Sequence, residues 1–279
     1  MNAVCDICPH GCSLAPGAFG LCGARRNDGG CVVSVSHGAV TSIALDPIEK
    51  KPLARYRPGS YVLSVGSFGC NLSCPFCQNH EIATARGERG LRISDRIEPA
   101  ELADLADELR ERGNIGIAYT YNEPFVGWEF LRDTMPLVRE RGLANVVVTN
   151  GYINEQPLLE LLPFIDALNI DLKGFSQRFY DMVGAPRGLE TVKRTIELAS
   201  RSAHVEVTTL VIPGENDSPE EMEAEAAWLA SIDPEICLHI TRFFPRHRML
   251  DKPPTPIATL EKLAKVARGH LPHVVLGNV

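Results

Sequence analysis

Seven short apolar runs, at 61–66, 115–120, 145–149, 166–172, 204–212, 236–241 and 273–277, alternate with amphipathic stretches near 99–112, 125–141, 155–162, 176–182, 188–201, 218–230 and 256–269. This alternation limits the architecture more than any other feature of the chain. A strand followed by a helix returns to the same edge of the sheet, so successive strands lie parallel in an α/β fold. Glu98-Pro99 and Ser218-Pro219-Glu220-Glu221 have the composition of helix starts, and Gly113 and Gly142 that of helix ends. Roughly six such units fit either an open or closed barrel, with functional residues at the C-terminal strand ends, or a doubly wound sheet. Periodicity alone leaves both open. At 279 residues and 44% apolar content the chain can build one large domain with a full core and a small extension.

The first sixty residues differ in kind. Residues 1–31 carry Cys5, Cys8, Cys12, Cys22 and Cys31 among glycines and are too polar and broken to form a core of their own. Residues 32–45 alternate around His37-Gly38, which predicts a hairpin, and 46–60, with Pro47, Pro52 and Pro58, reads as an extended connection. The expected division is a cysteine-rich extension over 1–60 and the repeating domain over 61–279. The net charge is −7, from 28 basic and 35 acidic residues, which argues against a general nucleic-acid surface. No uninterrupted apolar segment is long enough to span a membrane, and Met1 opens no signal peptide. Eight of the nine cysteines fall within the first 77 residues, a clustering that reads as metal binding rather than a disulfide framework. The expectation is a soluble, cytoplasmic, oxygen-sensitive protein.

The densest chemistry is Gly69-Cys70-Asn71-Leu72-Ser73-Cys74-Pro75-Phe76-Cys77. Three thiolates this close can hold three irons of a 4Fe-4S cluster, since soft sulfur ligands select such clusters or zinc. The next cysteine is Cys237, so no fourth ligand lies nearby and the fourth iron is open to a small molecule. A zinc knuckle or a set of buried free thiols is the plainer alternative.

This run, with Phe76 just before the third cysteine, resembles the signature of the radical S-adenosylmethionine (SAM) superfamily. The resemblance implies that SAM chelates the open iron and that one electron then yields a 5′-deoxyadenosyl radical, which abstracts hydrogen from a substrate. It also implies a partial (β/α)6 radical SAM barrel and places Phe76 near the adenine. In this superfamily the slot occupied here by Tyr121-Asn122-Glu123-Pro124 usually reads Gly-Gly-Glu-Pro and holds the methionyl ammonium, which makes Asn122 and Glu123 its candidate holders. A simple helix cap is the alternative at that position. Thr149-Asn150-Gly151-Tyr152 and Asp171-Leu172-Lys173 resemble segments that line the SAM site in the pyruvate formate-lyase activating enzyme; a salt bridge between layers would also explain Asp171 and Lys173. His247, in Arg242-Phe243-Phe244-Pro245-Arg246-His247, matches a histidine that the family places near SAM, against the alternative of an exposed loop histidine.

Cys5-x2-Cys8-x3-Cys12-x9-Cys22 is a second four-sulfur set, fit for a closed zinc site or a fully ligated second 4Fe-4S cluster. Cys5-x2-Cys8-Pro9-His10-x-Cys12, the Asp46-Pro47-Ile48-Glu49-Lys50-Lys51-Pro52-Leu53 stretch and Leu276-Gly277-Asn278-Val279 make nearly the whole chain similar to the radical SAM enzymes of the AmmeMemoRadiSam system. That resemblance also implies a further Cys-x2-Cys segment, which the sequence to Val279 does not contain. The function it implies is hydrogen abstraction from a protein or other bulky substrate, like a glycyl-radical activating enzyme, with a one-electron donor such as flavodoxin or ferredoxin. Radical modification of RNA, through Arg242, Arg246 and Arg248, or of a small metabolite is one alternative. A non-catalytic iron-sulfur or zinc electron-transfer module is the other.

Overall fold

The apolar runs become strands because their β-branched residues are buried on both faces, as a sheet covered on both sides requires, except at the edge run, where Val275 is exposed. The computed structural model describes residues 1–279 and gathers eight strands into one sheet. They are β1 (Ser42–Pro47), β2 (Tyr61–Gly66), β3 (Asn114–Tyr119), β4 (Ala144–Thr149), β5 (Ala167–Asp171), β6 (His204–Val211), β7 (Cys237–Arg242) and β8 (Val274–Gly277). Their order across the sheet is their order in the chain, parallel from β2 to β8, with β1 antiparallel on β2. A doubly wound sheet reverses its strand order at a switch point, and this one never does. The sheet is therefore wound in one direction only, as a barrel is, and β1 and β8 remain unpaired with each other. It is a partial barrel, with one strand more than six parallel units require.

Helices Pro99–Glu108, Trp128–Glu140, Glu155–Leu161, Gln177–Met182, Gly188–Ala199, Pro219–Ile232 and Ile257–Ala267 cover the outer face. Ser218 caps one of them by accepting the Glu221 N–H at 3.1 Å, and Glu98 and Glu101 form a capping box on another. Leu63, Ile117, Val147, Leu168, Val207 and Leu238 point outward into a core of 53 buried residues. The alternate positions Val62, Ala118, Val146 and Ala167 point inward and pack on Ile48 and Leu53. The segment read as a bare connection is thus the plug of the barrel's floor, held there by two apolar side chains. None of the helices is long and apolar enough to cross a membrane.

The expected hairpin over 32–45 does not form. Cys31–Ser34 instead pairs back onto Arg25–Asp28, Ala39–Val40 pairs with Asp95–Arg96, and Ser42–Pro47 becomes β1. Turn chemistry decides it. Gly29 and Gly30, at φ 61° and 98°, form a two-residue loop with both central residues at positive φ, the arrangement that suits tight hairpins, whereas His37-Gly38 offers one such residue. The main sheet consequently begins at Ser42.

Candidate active site

The loop after β2 carries Cys70, Cys74 and Cys77 onto the face formed by the C-terminal strand ends. Gly69 makes the approach possible: at φ 87° it lies so close to the preceding segment that a Cβ would stand 2.6 Å from the Cys22 carbonyl oxygen. The loop is tied down on several sides. Ser73 N–H donates to the Val183 carbonyl at 2.9 Å, Arg248 N–H to the Pro75 carbonyl at 2.8 Å, and Asn122 Nδ2 to the Gly69 carbonyl at 3.0 Å. Burial pushes the Cys74 thiol up to about 11, with Lys173 opposing, and raises Cys70 further and Cys77 as well. Such thiols hold their protons until a metal displaces them.

The donor set fits a multinuclear cluster. No three of these sulfurs lie within 4.8 Å of one another. Thiolates around one tetrahedral zinc would stand about 3.8 Å apart, given Zn–S of about 2.3 Å. Beside them, the buried Ser67 Oγ and His80 Nδ1 have no hydrogen-bond partner, which is what a polar face built for a further group leaves behind.

Glu123 lies at the centre of the strand ends, 2% exposed. One carboxylate oxygen accepts the Thr149 hydroxyl at 2.7 Å and the Phe125 N–H at 3.0 Å; the other accepts the Asn150 N–H at 2.8 Å. Burial pushes its acid up to about 7 against those hydrogen bonds. Glu123 is therefore both the cap expected of the plainer alternative and a buried carboxylate with a lone pair to spare. Asn122 has its oxygen on the Ser67 N–H at 2.9 Å and its amide on Gly69, so its polar atoms brace the cysteine loop. Asn150 donates to Asn71 Oδ1 at 2.9 Å and lies 3.6 Å from Cys70 Sγ.

Asp171 and Lys173 pair at 2.6 Å at the end of β5. Burial disfavours the Lys173 charge, but Asp171 and then Cys74 more than offset it, so the ammonium persists. Phe76 is buried, 6.0 Å from the Phe179 ring, in the core behind the loop. His247 is half-buried after β7, stacked on His80 at 4.5 Å between ring centroids. Cys70, Asn122, Glu123, Asn150 and the Asp171–Lys173 pair thus converge, while Phe76 packs on Phe179 and His247 stacks on His80.

The structure adds residues that motif reading passed over. Tyr121 adopts φ 72°, its carbonyl receiving Asn79 Nδ2 at 2.8 Å while its hydroxyl donates to Asp46 at 2.9 Å. A bulky residue where related sequences have glycine was the available signal, since that slot needs the left-handed region. His10, within the N-terminal cysteine run, meets the Asn71 carbonyl at 2.8 Å, and Asn154 N–H donates to the Ile7 carbonyl at 2.9 Å. These contacts seat the N-terminal cysteines directly against the Cys70 loop. Cys5 N–H donates to the Cys12 carbonyl at 3.0 Å, and Cys5, Cys8 and Cys22 are buried. As in the Cys70 set, no three of the four sulfurs lie within 4.8 Å of one another.

Residues 64–226 match the family described as the Radical SAM superfamily. The chain belongs to the radical SAM superfamily. Dependence on an iron-sulfur cluster and SAM comes with that membership. The Methanocaldococcus jannaschii protein MJ0808 is 40% identical to this radical SAM chain over 280 residues, covering 99% of this chain and 81% of that one. The pyruvate formate-lyase 1-activating enzyme of Escherichia coli is 23% identical over 154 residues, covering 54% of this chain and 61% of that enzyme. Among solved structures, Streptococcus suis SuiB bound to S-adenosylmethionine superposes with a TM-score of 0.58 at 11% identity, over 78% of this chain and 52% of that one. Methylornithine synthase (PylB) does so with a TM-score of 0.56 at 15% identity, over 80% and 66%. At these identities the superpositions establish the shared barrel alone.

Proposed function

We propose that Cys70, Cys74 and Cys77 hold a 4Fe-4S cluster with one iron open to SAM, and that the chain abstracts hydrogen from a protein or other bulky substrate. When bound, the cluster supplies the electron that cleaves SAM to methionine and a 5′-deoxyadenosyl radical. The chain's own residues position and shield. Glu123, buried and with an unused lone pair, accepts a hydrogen bond from the methionyl ammonium. Asn150 and Asn122 hold the Cys70 loop against that site, and the Asp171–Lys173 pair keeps a fixed cation beside Cys74. His247 bounds the adenine side, and Phe76 supports the cysteine loop from the core behind it.

The observation that carries this reading is the contact of Asn150 with both Cys70 and Asn71, while its backbone N–H is held by Glu123. Cluster loop and ammonium acceptor are thereby parts of one hydrogen-bonded unit. The open edge between β1 and β8 leaves room for a macromolecular substrate, and the similarity to a pyruvate formate-lyase activating enzyme favours a protein. A flavodoxin or ferredoxin is the proposed electron donor. Cys5, Cys8, Cys12 and Cys22 form a second metal centre serving as a relay or docking element, as expected of an AmmeMemoRadiSam-type enzyme; their wide sulfur spacing favours an iron-sulfur cluster, and zinc would need the loops to close further.

The test is anaerobic reconstitution followed by dithionite-driven cleavage of SAM to 5′-deoxyadenosine. The wild-type chain yields product, and Cys74→Ala abolishes it with the fold intact by circular dichroism. Full activity in Cys74→Ala refutes the assignment.

A further inference from the structure

At the opposite end of the barrel from the cysteine loop, three side chains with metal-binding chemistry converge. Glu206 on β6 is paired in register with Cys237 on β7, and His239 follows two residues on, so all three point to the inner face of the sheet. Their ligand atoms all lie within 4.8 Å of one another, the one such group of three in the chain. Glu206, Cys237 and His239 are 0%, 1% and 4% exposed. A fourth candidate, His204, approaches the other Glu206 oxygen at 2.9 Å and is partly open to solvent, which provides an entry path.

Two readings compete for such a group, a catalytic relay and a metal site. A Cys–His–Glu relay needs thiol and carboxylate on opposite ring nitrogens, so that a proton taken at one is balanced at the other. Here both face the same atom: His239 Nε2 is 3.6 Å from Cys237 Sγ and 2.5 Å from Glu206 Oε2. Three donors meeting at one point is the pattern of a coordination centre. Tetrahedral zinc would set sulfur and nitrogen about 3.5 Å apart, given bonds of about 2.3 and 2.05 Å. The observed separation of 3.6 Å needs no adjustment. The carboxylate oxygen and imidazole nitrogen, 2.5 Å apart, would have to separate by roughly 0.9 Å, within reach of a side-chain rotation.

The surroundings are built to hold the carboxylate. Ala54 N–H donates to Glu206 Oε2 at 2.9 Å and Arg55 N–H to Oε1 at 2.8 Å. Each oxygen thus has one lone pair fixed by backbone and a second aimed at a histidine, the outer support that carboxylate ligands commonly have. We propose that Cys237, His239 and Glu206 bind one zinc ion at the floor of the barrel, the fourth position being taken by water or by His204 once its ring turns from the far Glu206 oxygen. The mixed sulfur, nitrogen and oxygen donors suit zinc and disfavour magnesium or calcium. Binding releases the Cys237 proton, while His239 coordinates through Nε2 as a neutral ring with its proton on Nδ1. The ion locks the plug that includes Leu53 to β6 and β7, independently of SAM chemistry.

The experiment is metal counting by mass spectrometry on the reconstituted full chain. Cys237→Ser and His239→Gln each lose one zinc per chain relative to wild type, with iron unchanged and SAM cleavage retained. The Cys8→Ser/Cys12→Ser chain keeps that zinc, and its zinc-edge X-ray absorption shows a single sulfur at about 2.3 Å with nitrogen and oxygen completing the shell. This last measurement needs no change at the floor, so a variant that fails to fold leaves the proposal testable. Zinc equal in wild type, Cys237→Ser and His239→Gln, no zinc in the Cys8→Ser/Cys12→Ser chain, or an all-sulfur shell there, overturns it; the group is then a hydrogen-bonded clamp only.

Discussion

Replacing Glu123 with glutamine separates its structural role from its proposed role toward SAM. A carboxylate offers about four lone-pair sites. Three are used, by Phe125 N–H, Thr149 Oγ1 and Asn150 N–H, which leaves one for an ammonium. Glutamine keeps an oxygen for Phe125 and Thr149 but sets an amide NH2 against the Asn150 N–H and removes the charge. The lost charge-assisted hydrogen bond is worth about 1.5–3 kcal/mol, a weakening of SAM binding by about 10- to 150-fold. The unpaired Asn150 donor costs about 1–3 kcal/mol of stability in addition. Iron bound at Cys70, Cys74 and Cys77 should stay at the wild-type level, since Asn122 still braces the loop. The assay is anaerobic calorimetry of SAM on reconstituted protein, alongside iron counting and a thermal melt. An unchanged Kd with a lowered melting temperature would reduce Glu123 to a helix cap and strand tie.

The parallel strands were legible because a strand covered on both faces declares itself locally. The run expected at 145–149 is Ala144–Thr149, and that expected at 204–212 is His204–Val211. Partners are another matter. The alternation across 32–45 says which residues share a face, yet it carries no information on which strand they meet, and the glycine pair at 29–30 won the turn. The plug was hidden for a similar reason. Pro52 and Pro58 mark the segment as irregular, but the burial of Ile48 and Leu53 depends on side chains far away in sequence. The same limit applies to the site. Glu123 is visible as a motif, whereas its sharing with Thr149 and Asn150 exists only once β3 and β4 lie side by side. Cys237 had no cysteine neighbours to flag it, because its companions are a glutamate on the adjacent strand and a histidine two residues along its own.

Three further outcomes follow from the same geometry. In Cys8→Ser/Cys12→Ser one metal centre should be lost while dithionite-driven SAM cleavage persists; cleavage lost with the Cys70 cluster intact would show that the two centres are inseparable. Gly69→Ala should destabilise the fold by about 1–3 kcal/mol and lower iron retention, since alanine is strained at φ 87° and its Cβ would meet the Cys22 carbonyl; a wild-type melt and iron count would refute the close approach. The last concerns Glu225, 1% exposed in helix Pro219–Ile232 with Thr209 as its hydrogen-bond donor. Burial pushes its acid up to about 8 from 4.5, Thr209 opposing and Glu221 adding. Between those values the folded chain holds a proton that the unfolded chain has released, so stability falls as pH rises through that window. At about 1.4 kcal/mol per pH unit the loss has an upper limit of about 5 kcal/mol, and relaxation around the buried charge reduces it to a few. Glu225→Gln carries no such charge. Its stability relative to wild type should therefore grow from pH 5 to pH 9, whatever other groups titrate, because those cancel in the difference. Denaturant melts of the two chains across that range supply the measurement, and a constant difference would mean that Glu225 is ionised in the fold throughout.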